Sequence, residues 1–223
     1  MTELSITGDL RARTCPACNH LDRQMAEFFA ERQGLLSRSE EAQTDYADHG
    51  GFCPLHTWQL AAFSSPRGIS RGHEAIIRWM AERLDRLSNA CAGKEVESIP
   101  VKVSDDCNVC HFLADMEARY IETFCVFLGQ DGNLDSYVRS HGLCLRHLSL
   151  VLDRMEDGSR KLYLIRLAAN RLREIGENMV QYDLKLEQLK RELLTRDEKD
   201  AYRRGLVMLA GEKTVFSPFM KAL

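Results

Sequence analysis

The chain has 223 residues, of which 44% are hydrophobic and 28% charged, and its net charge is −3. That length accommodates one sizeable domain or two small ones, and the composition is that of a globular protein rather than a disordered or fibrous one. The charge offers no electrostatic footprint for nucleic acid, and no apolar run approaches the length of a membrane span.

The N-terminal stretch "MTELSITGDLRARTCPAC" has no basic region followed by an apolar one, so no signal peptide is expected and the expected compartment is the cytoplasm. In that compartment eight cysteines point to metal ligands or redox thiols rather than to structural disulfides.

The periodicity predicts helices throughout. Leu21, Met25, Phe28 and Phe29 form an apolar stripe that should end at Gly34. Ser37 and Glu40 have the spacing of a capping box for a short second helix running to Gly50-Gly51. Cys53-Pro54 should open a third helix, stopped by Ser64-Ser65-Pro66. Ile76, Met80, Leu84, Leu87 and Cys91 give a fourth stripe. Residues 93–106, "GKEVESIPVKVSDD", break the pattern and read as a linker.

The plan then recurs. Leu113, Met116, Tyr120, Phe124, Phe127 and Leu128 line a helix that should end at Gly129, with a turn at Asp131-Gly132. Leu145, Leu148, Val151, Leu152 and Met155 line the next helix. From Leu162 to Leu193, apolar residues spaced by threes and fours predict a long amphipathic helix. It would either pack on its own modules or form a homodimer seam. From Arg160 to Arg204 basic and acidic residues are mixed, which is a solvated face and not a nucleic-acid surface. Thr195 and Glu198 form a capping box for a last helix ending at Ala210-Gly211.

The cysteines carry an internal duplication. Cys15-x-x-Cys18 is followed after 34 residues by Cys53-x-x-His56, and Cys107-x-x-Cys110 after 33 residues by Cys144-x-x-His147. The two copies are offset by 92 residues at the CxxC and 91 at the CxxH. "CNVCH", residues 107–111, matches a c-type haem attachment pattern on its own. The first copy has Asn19 where His111 stands, so the histidine after the CxxC is not part of what recurs. Each copy instead offers three thiols and one imidazole, the donor set of a closed structural zinc site.

The expected ligands are Cys15, Cys18, Cys53, His56, Cys107, Cys110, Cys144 and His147. Loop closure favours local sites, with Cys15, Cys18, Cys53 and His56 in one and Cys107, Cys110, Cys144 and His147 in the other. Two zinc ions are the expected cofactors, with an iron–sulfur cluster as the alternative. Cys91 and Cys125, unpaired in sequence, read as buried small hydrophobes. His20, His49, His73 and His141 read as surface or capping residues.

The expected fold class is therefore all-α: two pseudo-repeated helical modules, each closed by a Cys3His site, plus a long C-terminal helix and a short closing helix. The expected division is residues 1–92 as the first module, 93–106 as linker, 107–158 as the second module and 159–223 as a helical extension.

"CPAC", "GGFCPLHTWQL", "CNVC", "GLCLRHLSLVL" and "DEKDAYRRGLVMLAG" together resemble an uncharacterised prokaryotic family of helical proteins with two CxxC…G(F/L)CxxH modules, over most of residues 11–211. The resemblance implies a cytoplasmic metal-site protein and brings no activity with it. No Ser/His/Asp set, HExxH or Gly-rich phosphate loop is present. The expectation is a non-catalytic metal-binding scaffold or adaptor for a protein partner. The alternative is an iron–sulfur electron carrier or a small subunit of a redox complex.

Overall fold

The computed structural model describes residues 6–91, 107–130, 132–187 and 191–212. Its described residues form helices and connecting loops, with no strand among them. The chain is all-α, as its periodicity requires. The order is α1 (Ile6–Asp9), α2 (Pro16–Leu36), α3 (Glu40–Asp48), α4 (Pro54–Ala62), α5 (Pro66–Cys91), α6 (Asn108–Gly129), α7 (Asn133–Val138), α8 (Leu145–Arg154), α9 (Gly158–Glu187), a 3₁₀ turn at Arg191–Leu193, and α10 (Arg196–Ala210).

Local chemistry explains most boundaries. Proline opens α2, α4 and α5 at the position where its missing N–H costs nothing. Pro66 begins α5 four residues after α4 ends at Ala62. Ser39, not Ser37, caps α3, its hydroxyl accepting from the Ala42 N–H at 3.2 Å. Gly34 does not end α2, which runs two residues further and packs Leu36 against Gly72. Both bonds of the Thr195–Glu198 capping box form at the start of α10. The 93–106 linker, Asp131 and Leu189 lie outside the described residues.

The chain divides into two compact units. One comprises residues 1–23 and 115–223, the other residues 24–114. These bounds differ from the sequential division expected from the repeat, because α2 and α6 each contribute to both units.

In the first unit, α9 packs on α10 and α10 also meets α8. Tyr120, Phe124, Leu128, Tyr137, Leu143, Val151 and Leu164 fill its core. The buried Asp9 carboxylate accepts from Asn19 at 2.9 Å and pairs with Arg23, which ties α1 to the first turns of α2. Arg13 pairs with Asp197 and Asp200 and so ties the approach to Cys15 to α10. In the second unit, α3 packs on α5. Phe28, Phe29, Tyr46, Phe52 and Phe63 form its aromatic centre.

Candidate metal centres

Each of the four ligand pairs occupies the same place on a helix. Cys53 and Cys144 are the N-cap residues of α4 and α8, with φ near −60° and ψ near 160°. Their carbonyls accept from Thr57 at 2.9 Å and Leu148 at 2.8 Å, so His56 and His147 fall at the third helical position. The carbonyls of Cys15 and Cys107 likewise accept from Asn19 at 2.9 Å and His111 at 3.2 Å, one turn into α2 and α6. A two-residue gap at a helix start aims both side chains past the N-terminus. The unpaired N–H groups there favour a site whose net charge is negative.

The four pairs meet crosswise. Cys15, Cys18, Cys144 and His147 form one group and Cys53, His56, Cys107 and Cys110 the other, with all donor atoms of a group within 4.8 Å of one another. The expectation of local sites is thereby corrected. The CxxC of each copy meets the CxxH of the other. Each group lies wholly within one of the two units. The physical reason is that the loop-closure penalty grows only logarithmically. Joining residues 126 apart instead of 35 costs about 1 kcal/mol, which is less than the burial of a single large side chain.

In the first group His147 Nδ1 lies 3.3 Å from Cys15 Sγ, 3.4 Å from Cys18 Sγ and 3.2 Å from Cys144 Sγ, and Cys18 and Cys144 are 4.0 Å apart. In the second, His56 Nδ1 lies 3.2 Å from Cys53 Sγ and 3.4 Å from both Cys107 and Cys110, and Cys53 and Cys110 are 4.0 Å apart. With zinc–sulfur bonds of about 2.3 Å and zinc–nitrogen bonds of about 2.0 Å, a tetrahedron has S···S edges of about 3.8 Å and S···N edges of about 3.5 Å. The donors therefore fit a single ion in size, number and chemistry.

Electrostatics point the same way. Hydrogen bonds from Cys15 and Cys18 hold the Cys144 thiol well below its ordinary pKa, whereas Cys18 is pushed far up by bonding to Cys144 and Cys15. Burial pushes Cys107 up, but hydrogen bonds from His56, Cys53 and Cys110 outweigh it and bring the thiol down to about 6. Burial and the neighbouring Cys107 push Cys110 up. Within each group some thiols thus ionise only at the expense of others. A bound divalent cation removes that conflict by stabilising every thiolate at once.

The surroundings of the two histidines differ. His147 Nδ1 faces the sulfurs, so Nε2 carries the proton and donates to Glu117 Oε1 at 3.0 Å. Arg146 holds the same carboxylate with two bonds, of 3.0 and 2.8 Å. Burial pushes the Glu117 carboxyl up, but His147 and Arg146 outweigh it and bring it down to about 2. His56 is fully buried, and its Nε2 has no hydrogen-bond partner among the described residues.

Sequence reasoning missed Glu117 and Arg146. A signal was present: Glu117 interrupts the buried face between Leu113 and Ile121, at the place where the first copy has Met25. Gly51 and Gly142, which precede the two CxxH pairs, have φ of 76° and 80°. Cys91, Cys125, His20, His49, His73, His111 and His141 stand outside both groups. His20 is not a surface residue as expected. It is buried and stacks on Tyr120 at 4.7 Å.

Comparison with known proteins adds no further lead. No family model, no curated protein and no solved structure matches this chain. Among the described residues no helix is long and apolar enough to cross a membrane.

Proposed function

We propose that this chain is a non-catalytic zinc protein, in which two single-ion Cys3His centres stabilise a helical scaffold that binds a protein partner. The observation that carries the zinc reading is the closeness of the donors. All four atoms of each group lie within 4.8 Å of one another. An iron–sulfur cluster places several iron and sulfide atoms between its ligands and spreads them further apart. Four protein donors also leave no open position on a tetrahedral ion, which supports a structural role over a hydrolytic one.

The partner reading is supported by apolar residues left exposed on α10. Tyr202, Leu206 and Leu209 share a face at helical spacing and are each more than half exposed, while Ala201, Val207 and Met208 are buried. Anaerobic elemental analysis tests the metal reading. Two zinc atoms per chain support it, and iron with sulfide and visible absorbance would replace it with the electron-carrier reading. Substituting Leu206 and Leu209 by Ser should abolish partner binding without changing metal content or helicity.

A further inference from the structure

We propose that the two centres differ in lability: the centre braced by Glu117 keeps its metal, whereas the Cys53–His56–Cys107–Cys110 centre exchanges it with competing thiolate or chelating ligands. The proposal rests on the metal-binding reading above and deepens it. Three observations carry it.

The first is the brace itself. His147 donates through Nε2 to Glu117, and Arg146 fixes that carboxylate with two bonds. A carboxylate behind a ligating imidazole orients the ring and raises its basicity, and its loss costs about 10–100-fold in metal affinity.

The second is the repeat. Offsets of 92 and 91 residues map Glu117 onto Met25 and Arg146 onto Leu55. The duplicated module thus carries an ionic brace in one copy and two apolar residues in the other. The structure agrees with that mapping. His56 is as deeply buried as His147, yet its Nε2 has no partner among the described residues. A buried N–H without an acceptor is penalised, and its imidazole is a weaker, less firmly oriented ligand.

The third is access. Cys15, Cys18 and Cys144 are each 1% exposed or less, whereas Cys53 is 9% exposed and Cys110 is only half-buried. An incoming ligand must reach the ion as a protein ligand leaves, and although Cys107 is buried, only the second centre has ligand cysteines near the solvent boundary. The exchange is redox-neutral. The ion passes from four protein donors to the competitor, and the freed thiolates take protons from water.

Glu117 is here a positioning residue, acting on the metal through His147. The test uses the full zinc-loaded chain, kept anaerobic, with its zinc counted first. It is then challenged with the chromogenic chelator pyridylazoresorcinol, while samples are alkylated with iodoacetamide and mapped by mass spectrometry. The expected result is two release phases at least tenfold apart in rate. Cys53, Cys107 and Cys110 are labelled in the fast phase and Cys15, Cys18 and Cys144 in the slow one. Glu117→Gln should speed the slow phase by about 10–100-fold and leave the fast phase unchanged. If that variant does not fold, the labelling order in the parent decides alone. A single phase with all six cysteines labelled together, the reverse order, or a Glu117→Gln slow phase equal to the parent's would overturn the proposal. A chain that retains no zinc after loading would instead overturn the metal reading, and is seen before any chelator is added.

Discussion

Adding a methyl group at Gly142 should destabilise the first unit by about 3–5 kcal/mol. Gly142 has φ +80°, a conformation that costs an L-residue about 1–2 kcal/mol. Its added Cβ would lie 2.3 Å from Arg171 Nη1 and 2.9 Å from Cζ, so the guanidinium would have to leave. That guanidinium donates to the carbonyls of Tyr137 at 2.7 Å and of Val138 and Ser140 at 3.1 Å, and sits 4.8 Å over the Tyr137 ring. Losing those contacts at the C-terminal end of α7 adds about 2–3 kcal/mol. Gly132 is the internal control. Its φ is +85° but nothing lies within 4 Å of its added Cβ, so Gly132→Ala should cost only the backbone penalty of about 1–2 kcal/mol. Urea unfolding of metal-loaded protein, followed by circular dichroism, measures each difference. In an Arg171→Ala background the Gly142→Ala penalty should fall to that of Gly132→Ala. If Gly142→Ala costs no more than Gly132→Ala in the parent, the assigned role of Arg171 is wrong.

Three further outcomes are expected. Thr195→Ala removes the hydroxyl that accepts from the Glu198 N–H at 3.2 Å and should cost about 1 kcal/mol in thermal or urea unfolding. Replacing Cys91 and Cys125 by Ser should leave the metal content unchanged, because both lie outside the two groups; elemental analysis checks it. Burial holds the His73 pKa below its ordinary value, so the unfolded chain binds the extra proton first and stability falls as pH drops through about 6.5. His73→Gln should flatten that part of the stability–pH curve, measured by urea midpoints between pH 6 and 8 in excess zinc.

The helices were legible because their signals are local. The stripe Leu21–Phe29, the proline at position 54 and the Thr195–Glu198 box each act within a few residues, and each appears in the structure. Gly34 misled because a glycine inside a helix costs only about 1 kcal/mol, less than α2 recovers by burying Leu36. Ser39 took the cap of α3 from Ser37 because α2 overran its expected end. Ser37 instead donates from its hydroxyl to the Gly34 carbonyl in the last turn of α2.

The eight donors were legible as a repeat, since six cysteines and two histidines recur in register. Their partnership was not. Sequence distance distinguishes local from crossed pairing by only about 1 kcal/mol, too little to decide between them. The crossed arrangement is the one expected if two copies of a single module exchanged their CxxH arms and were later joined. Equivalent ring pairs fit that origin. His20 meets Tyr120 at 4.7 Å in one unit and Phe112 meets Phe28 at 4.9 Å in the other, each joining α2 to α6. Glu117 stayed hidden because its counterpart in the first copy is the apolar Met25, and a repeat reveals only what it repeats.

The crosswise pairing is tested most directly by anaerobic metal counting in a Cys107→Ser/Cys110→Ser variant, combined with alkylation of its remaining cysteines. The structure predicts one metal per chain, with Cys53 alkylated and Cys15, Cys18 and Cys144 protected. A variant in which Cys144 is alkylated while Cys53 stays protected would contradict it and restore the local sites.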